Sequence, residues 1–340
     1  MKLFKKMMQV VLATFFFGLL GTSTVCADDS EGWQFVQENG RTYYKKGELK
    51  ETYWRVIDGK YYYFDSLSGE MVVGWQYIPA PHEGVTIGSS IRQDIAFRPD
   101  WFYFGQDGVL QEFVGKQVLE AKTATNVNKH HGEQYDSPAE KRVYYFEDQR
   151  SYHTLKTGWV HDEGHWYYLL KDGGFDSRIN RLTVGELARG WAKDFPLTYD
   201  EDKLKAAPWY YLDPATGIMQ TGWQYLGNKW YYLRSSGAMA TGWYQEGSTW
   251  YYLDQPNGDM KTGWQNLGNK WYYLRSSGAM ATGWYQEGST WYYLNASNGD
   301  MKTGWFQVNG NWYYAYDSGA LAVNTTVGGY YLNYNGEWVK

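Results

Sequence analysis

The chain has 340 residues, 20% of them aromatic with 34 Tyr and 19 Trp, and a formal net charge of −5. That aromatic load exceeds what an ordinary core requires and suggests rings that face a ligand. The acidic balance argues against nucleic acid, whose phosphates need a basic stripe, and weakly favours a cationic ligand.

Residues 1–27 join the basic start MKLFKK to a short apolar run and the ending Val25-Cys26-Ala27. This is the pattern of a secretory signal peptide and not of a membrane span. Val25 stands where a lipidated cysteine expects a small residue, so cleavage is expected after Ala27. The cut removes Lys2, Lys5 and Lys6 and no acid, shifting the formal charge to −8, and takes away the only cysteine. The exported protein would then have neither disulfides nor thiol chemistry. No other stretch approaches the roughly 20 apolar residues of a spanning helix, and the ending YLNYNGEWVK carries no anchor signal. Retention at a cell surface would have to come from binding.

Residues 28–208 read as eroded repeats. Trp33, Trp54 and Trp75 are 21 residues apart, with the runs Thr42-Tyr43-Tyr44 and Tyr61-Tyr62-Tyr63-Phe64 between them. Insertions then stretch the register. Residues 76–100 contain Pro79, Pro81 and Pro99 and precede the run WFYF; residues 115–141 precede Val143-Tyr144-Tyr145-Phe146. Residues 179–192, with Leu182 and Leu187, suggest a short helix, and residues 193–208 end at Trp209-Tyr210-Tyr211. Trp159, Trp191 and Trp223 are each 32 residues apart, as though loops had been enlarged on one scaffold.

Residues 209–340 carry the regular repeats. Within 222–303, two 41-residue blocks differ at four positions, and Trp223, Trp243, Trp264, Trp284 and Trp305 are spaced 20, 21, 20 and 21 apart. Such a period implies units that bury their apolar faces by stacking on neighbours. In GWQYLGNKWYYL, Trp223 and Tyr225 alternate with Gln224, and Trp230 and Tyr232 share a face opposite Tyr231. Gly227-Asn228 and Gly247-Ser248 read as two-residue hairpin turns. The expected fold is all-β, made of stacked β-hairpins.

Each regular unit pairs its Gly-Trp tryptophan with a second one seven residues on: Trp223/Trp230, Trp243/Trp250, Trp264/Trp271, Trp284/Trp291 and Trp305/Trp312. The following loops add Met239, Met260, Met280 and Met301, and the last Tyr of the next aromatic run offers a third ring. The middle tyrosines Tyr231, Tyr251, Tyr272 and Tyr292 are expected to fill the seams. Open boxes of this kind suit a quaternary ammonium ion, whose charge no hydrogen bond can satisfy and which ring faces attract at about 0.5–2 kcal/mol per contact. Three rings and a thioether would supply on the order of 3–6 kcal/mol gross, a weak site that several copies on one polymer could strengthen about 10²-fold or more.

The unit GWxxxGxxWYYLxxxGxMxTGW, as it stands from Gly222 to Trp243, resembles the choline-binding repeat of pneumococcal-type cell-wall proteins. The likeness is close over residues 209–317 and looser over 28–208. It implies a left-handed β-solenoid superhelix with choline of teichoic acids caged between successive hairpins. The implied cages are Trp223, Trp230 and Tyr252; Trp243, Trp250 and Tyr273; Trp264, Trp271 and Tyr293; and Trp284, Trp291 and Tyr314. Met239, Met260, Met280 and Met301 would line them in turn. Thr42 and Tyr61 stand where a second Trp is expected, so the first cages are eroded. Trp159, Trp166 and Tyr168 keep the spacing but no Met follows in the next loop, and Tyr330-Tyr331 suggests a terminal cap.

Family members often carry a murein hydrolase, but here eroded repeats occupy that place. His161-Asp162-Glu163-Gly164-His165 offers metal-ligand types, yet it falls where a hairpin turn is expected. No nucleophile elbow and no HExxH motif occurs. The expectation is a secreted, non-catalytic protein without cofactor or metal, attached non-covalently to choline of teichoic and lipoteichoic acids at the wall surface. Residues 28–208 would serve an interaction or regulatory role toward a wall hydrolase or a host protein. The alternatives are a glucan-binding repeat protein, or a hydrolase with its site in the loops of residues 77–208.

Overall fold

Two-residue turns set the hairpins. At Gly227-Asn228 both residues have positive φ (56° and 64°), whereas at Gly247-Ser248 only the glycine does (58°); both arrangements match the right-handed twist of the strands they join. Gly222–Leu226 pairs with Lys229–Leu233, placing Trp223 opposite Tyr232 and Tyr225 opposite Trp230. The same register recurs in Gly242–Glu246 with Thr249–Leu253, Gly263–Leu267 with Lys270–Leu274, Gly283–Glu287 with Thr290–Leu294, and Gly304–Val308 with Asn311–Ala315. A last, shorter hairpin pairs Thr325–Val327 with Tyr330–Leu332.

The computed structural model describes residues 32–79, 99–122, 141–149, 152–171, 184–194, 200–255 and 257–339. The signal-peptide reading of 1–27 and most of the two long insertions therefore lie outside the described residues. The chain divides into two compact units, residues 1–141 with 145–156, and 142–144 with 157–340.

In the second unit the connection after each hairpin holds the stack together. Met260 bridges to Leu253 of its own hairpin and donates its backbone N–H to the carbonyl of Trp230 in the hairpin before, at 2.8 Å. Met280 does the same to Trp250 (2.7 Å) and Met301 to Trp271 (2.8 Å). The final leucines of the hairpins, Leu212, Leu233, Leu253, Leu274, Leu294 and Leu332, have no exposed surface. Each contributes about 1.5–3 kcal/mol by burial. Because one hairpin alone is marginal in water, these inter-hairpin bonds and the leucine row make the array stable.

In the first unit the same scheme runs with other side chains. Tyr53–Ile57 pairs with Lys60–Phe64, and Gly74–Pro79 with Pro99–Phe104. The stacking bond is kept where the second Trp is missing: Met71 donates to the carbonyl of Thr42 (2.7 Å) and Leu110 to that of Tyr61 (2.8 Å). The core here is aromatic, with Tyr44, Phe64, Trp75, Trp101, Phe102 and Phe104 all within 1% of full burial.

The fold is thus all-β, made of repeated antiparallel hairpins, as the alternation predicts. Two local expectations are corrected. Residues 115–141 do not form only a loop, because Gly115–Glu120 joins Lys141–Gln149 and Tyr152–Leu155 in a three-stranded sheet. The helix expected over 179–192 is absent from its described part, 184–192, which is turn and strand; residues 179–183 lie outside the described residues. A short helix instead occupies Glu201–Ala206, capped by the Asp200 carboxylate accepting from Asp202 and Lys203 N–H. Within His161 to His165, Glu163-Gly164 is the hairpin turn joining Gly158–Asp162 to His165–Leu169, with Asp162 paired opposite His165. Among the described residues, no group of three His, Cys, Asp or Glu could hold a metal ion.

Candidate aromatic ligand cages

Cross-strand register brings the two tryptophans of a hairpin to one face, and their indoles meet as a corner. Trp223 and Trp230 have centroids 6.5 Å apart with planes at 82°. Trp243 and Trp250 stand at 6.4 Å and 85°, and Trp284 and Trp291 at 6.4 Å and 86°. The second-strand member stays open to solvent: Trp230 is 43% exposed and Trp291 41%. From Trp209 to Trp312 the second-strand tryptophan is held open at the same place in each repeat, which a core does not require.

The next hairpin supplies the third wall, and it is the middle tyrosine that does so. Tyr251 meets Trp223 edge-on at 4.9 Å, Tyr272 meets Trp243 at 4.9 Å, Tyr292 meets Trp264 at 4.8 Å and Tyr313 meets Trp284 at 4.9 Å. Tyr252, Tyr273, Tyr293 and Tyr314 instead meet the first tryptophan of their own hairpins, Trp243, Trp264, Trp284 and Trp305, at 4.9–5.3 Å, and Tyr273 and Tyr293 also stack forward on Tyr285 and Phe306. The structure therefore does not bring Tyr252 to Trp223. Alternation orients a side chain relative to its own hairpin only; the middle tyrosine points backward onto the hairpin it stacks upon.

The methionines are displaced by one seam in the same way. Met260 lies beside Trp230, Met280 beside Trp250, Met301 beside Trp271 and Met239 beside Trp209. Each thioether is packed on the turn glycine that follows: a Cβ on Gly278 would sit 2.2 Å from the Met260 sulfur. In the next seam Leu321 takes the methionine place, its N–H bonded to the Trp291 carbonyl. There a cavity of about 310 Å³ is lined by Trp284, Trp291, Tyr313 and Leu321, together with Val323, Tyr334 and Asn335. The supposed terminal cap forms another cavity, of about 320 Å³, between Trp305, Trp312, Tyr330 and Trp338. Trp338 stands in the methionine place, donating to the Trp312 carbonyl at 2.8 Å.

Of two further tryptophan pairs, Trp159 and Trp166 keep the seven-residue spacing across a two-residue turn, whereas a longer turn separates Trp191 from Trp209. In the longer hairpin Trp191 pairs opposite Tyr211 and Lys193 opposite Trp209, and Tyr231 closes on Trp191 at 5.0 Å. Tyr210 closes on Trp159 at 4.6 Å, and Met219 reaches the Trp166 carbonyl at 2.8 Å, so a methionine does serve this seam. The signal was present in the Gly-Trp and Trp-Tyr-Tyr pairs, but assigning walls needed the stack.

The charges around the cages favour a cation. Trp223 donates its indole N–H to Glu246 at 3.1 Å and Trp264 to Glu287 at 3.0 Å, so carboxylates stand at the rims. Burial, and then the hydroxyl contact with Tyr232, pushes the Tyr244 phenol above its ordinary value, so it remains neutral at physiological pH. Around Trp159, Asp194 accepts from the indole N–H (3.0 Å), the Tyr168 hydroxyl (2.9 Å) and the Lys171 ammonium (2.6 Å). Burial raises its carboxyl, but these donors outweigh that and hold it below the usual range.

Comparison with known proteins agrees with this architecture. A family model described as choline-binding repeat matches residues 220–262 and 261–306, and one described as putative cell wall binding repeat matches 157–175 and 303–321. No curated protein matches. Among solved structures, CbpJ of Streptococcus pneumoniae TIGR4 is 68% identical, with a TM-score of 0.76 over 91% of this chain and 100% of that one. Choline binding protein F of Streptococcus pneumoniae is 58% identical, with a TM-score of 0.77 over 92% and 100%. A further structure, CbpF in complex with ipratropium, is 60% identical, with a TM-score of 0.76 over the same shares.

Proposed function

Because this chain belongs to the choline-binding protein family, we propose that its cages hold the trimethylammonium groups of choline on teichoic and lipoteichoic acids. The protein, once secreted, would thereby attach non-covalently to the bacterial wall. The observation that carries this reading is the repeated Trp corner, closed by a Tyr and a Met or Leu from the following unit and left open on one side. Its walls are ring faces and carbon or sulfur, with carboxylates at the rim, so it attracts a methylated cation without offering it hydrogen bonds. Ipratropium, named with the relative CbpF, is itself a quaternary ammonium compound.

The walls assigned to one ligand are Trp223, Trp230, Tyr251 and Met260, and the set recurs one hairpin on with Trp243, Trp250, Tyr272 and Met280. Each site alone is weak, near millimolar on the scale of about 4 kcal/mol. Several sites on one decorated polymer raise the grip by about 10²-fold or more. The chain acts without catalysis in this reading, and residues 28–208 serve as an interaction or regulatory module toward a wall hydrolase. No helix among the described residues is long and apolar enough to cross a membrane.

Retention on a quaternary-amine matrix tests the proposal. The mature protein should stay bound in 1 M-range salt, which screens ordinary charge pairs to about 3 Å, and elute with free choline. Elution by salt alone would sink the cage reading. Adding the protein to a choline-anchored hydrolase and to one without such repeats tests the regulatory part: inhibition of neither removes it.

A further inference from the structure

In the first unit, Gly74–Pro79 pairs with Pro99–Phe104 so that Trp75 faces Tyr103 and Tyr77 faces Trp101. This is the register that makes a cage corner of Trp223 and Trp230. The Trp75 and Trp101 indoles meet at 6.1 Å and 88°, close to the 6.5 Å and 82° of Trp223 and Trp230. Yet both are only 1% exposed, where the open corners leave their second tryptophan about two-fifths exposed.

What fills the corner is a lysine of the same chain. The Lys122 ammonium lies 4.5 Å from the Trp75 ring centroid and 5.1 Å from that of Trp101, and the residue is 2% exposed. Strand Gly115–Glu120 delivers it: the Trp75 indole N–H donates to the Glu120 carbonyl at 2.8 Å, and the Tyr103 hydroxyl donates to the Glu120 carboxylate at 2.8 Å. Two residues past that anchor, the chain can place an ammonium between the rings. Burying a lysine is costly unless its charge is matched, and two ring faces at right angles offer such a match. Other ring faces of this unit are also met by its own cations: Lys50 lies 3.8 Å over Tyr43 and Arg55 5.8 Å over Trp33. Among the described residues, no lysine or arginine lies over the tryptophans from Trp223 to Trp312.

We propose that Lys122 is the resident cation of the Trp75–Trp101 corner, occupying from within the place that an external quaternary ammonium takes in the open cages. The corner is a latent ammonium site that the chain keeps closed, so the rings of this hairpin serve the first unit's core and not the wall. The inference rests on the cage reading for its external ligand, while the contact of Lys122 with the rings stands apart from it.

The test uses the full mature chain and choline as the probe. In the wild type saturated with choline, ring currents should keep the Lys122 Hε signals upfield, and a choline-soaked crystal should show ligand at Trp223–Trp230 and none between Trp75 and Trp101. K122A should bind one more choline per chain by equilibrium dialysis, whereas K122M, which refills the corner with a thioether, should bind the wild-type number. Choline between Trp75 and Trp101 in the wild type, an unshifted Lys122 signal, or an unchanged count in folded K122A would each overturn the proposal. Should K122A not fold, the wild-type signal and crystal decide it alone. If no cage of the wild type takes choline while Lys122 remains upfield, the choline reading fails and the resident cation stands.

Discussion

Tyr251 meets the edge of Trp223 at 4.9 Å although the two belong to successive hairpins. Its neighbour Tyr252 turns the other way, onto Trp243 of its own hairpin at 5.2 Å. A ligand held by Trp223 and Trp230 therefore has Tyr251 as its third wall. Tyr251→Leu should weaken that one site about tenfold, the order expected for losing a ring contact of about 1–2 kcal/mol. In a choline titration followed by indole N–H signals, Trp223 should need about tenfold more choline to respond in Y251L and respond as in the wild type in Tyr252→Leu. A Trp223 response abolished by the Tyr252 change alone would reverse the assignment.

The methionine that lines a seam also holds it shut. Gly278 has φ +82° and a Cβ there would lie 2.2 Å from the Met260 sulfur, whereas Gly268 has φ +59° and nothing within 4 Å. Gly268→Ala should cost about 1–2 kcal/mol, the penalty of left-handed backbone with a side chain. Gly278→Ala adds overpacking of about 1–3 kcal/mol. Denaturant unfolding should therefore rank G278A below G268A, and equal midpoints would count against the close Met–Gly packing.

At the C-terminal end Trp338 stands where methionine stands elsewhere, between Trp305, Trp312 and Tyr330. Trp338→Ala should remove one choline from the stoichiometry measured by calorimetry, while Trp338→Met should restore it, since a thioether fills the place in the regular seams. A W338A protein that binds the wild-type number would show that this cavity is not a site.

Asp194 links the Trp159 seam to pH. Although burial alone would raise its carboxyl, the Lys171, Tyr168 and Trp159 donors lower it overall. A carboxyl lowered in the folded state adds stability above its unfolded value of about 3.9, and that stability disappears as pH falls through the folded value. Wild type should lose stability steadily below about pH 4, and Asp194→Asn should flatten that slope while being less stable at neutral pH. Thermal melts from neutral to strongly acid pH measure this; parallel profiles would show that the carboxylate carries no such linkage.

Much of this molecule could be read from the residues in order. The strict alternation in GWQYLGNKWYYL and the Gly-Asn and Gly-Ser turns are local facts, so they yield the hairpins, their register and the pairing of Trp223 with Trp230. The chemistry of paired indoles beside methionine points to a methylated cation for the same reason: it depends on residue type. The helix expected near Leu182 and Leu187 failed in its described part because leucine spacing over so short a segment does not distinguish a helix from a turn leading into the strand Gly190–Lys193.

Only the tertiary structure decided which hairpin completes which cage. Alternation orients side chains about one hairpin, but whether Tyr251 or Tyr252 faces Trp223, and whether Met239 or Met260 lies beside Trp230, depends on how hairpins stack. The same holds for Trp75 and Trp101, which an insertion separates and an ammonium just past a later strand fills. The kinds of ring and the hairpins that carry them follow from the sequence; the assembly of walls from different hairpins, and the filling of one corner by Lys122, follow from packing between segments that the chain order keeps apart.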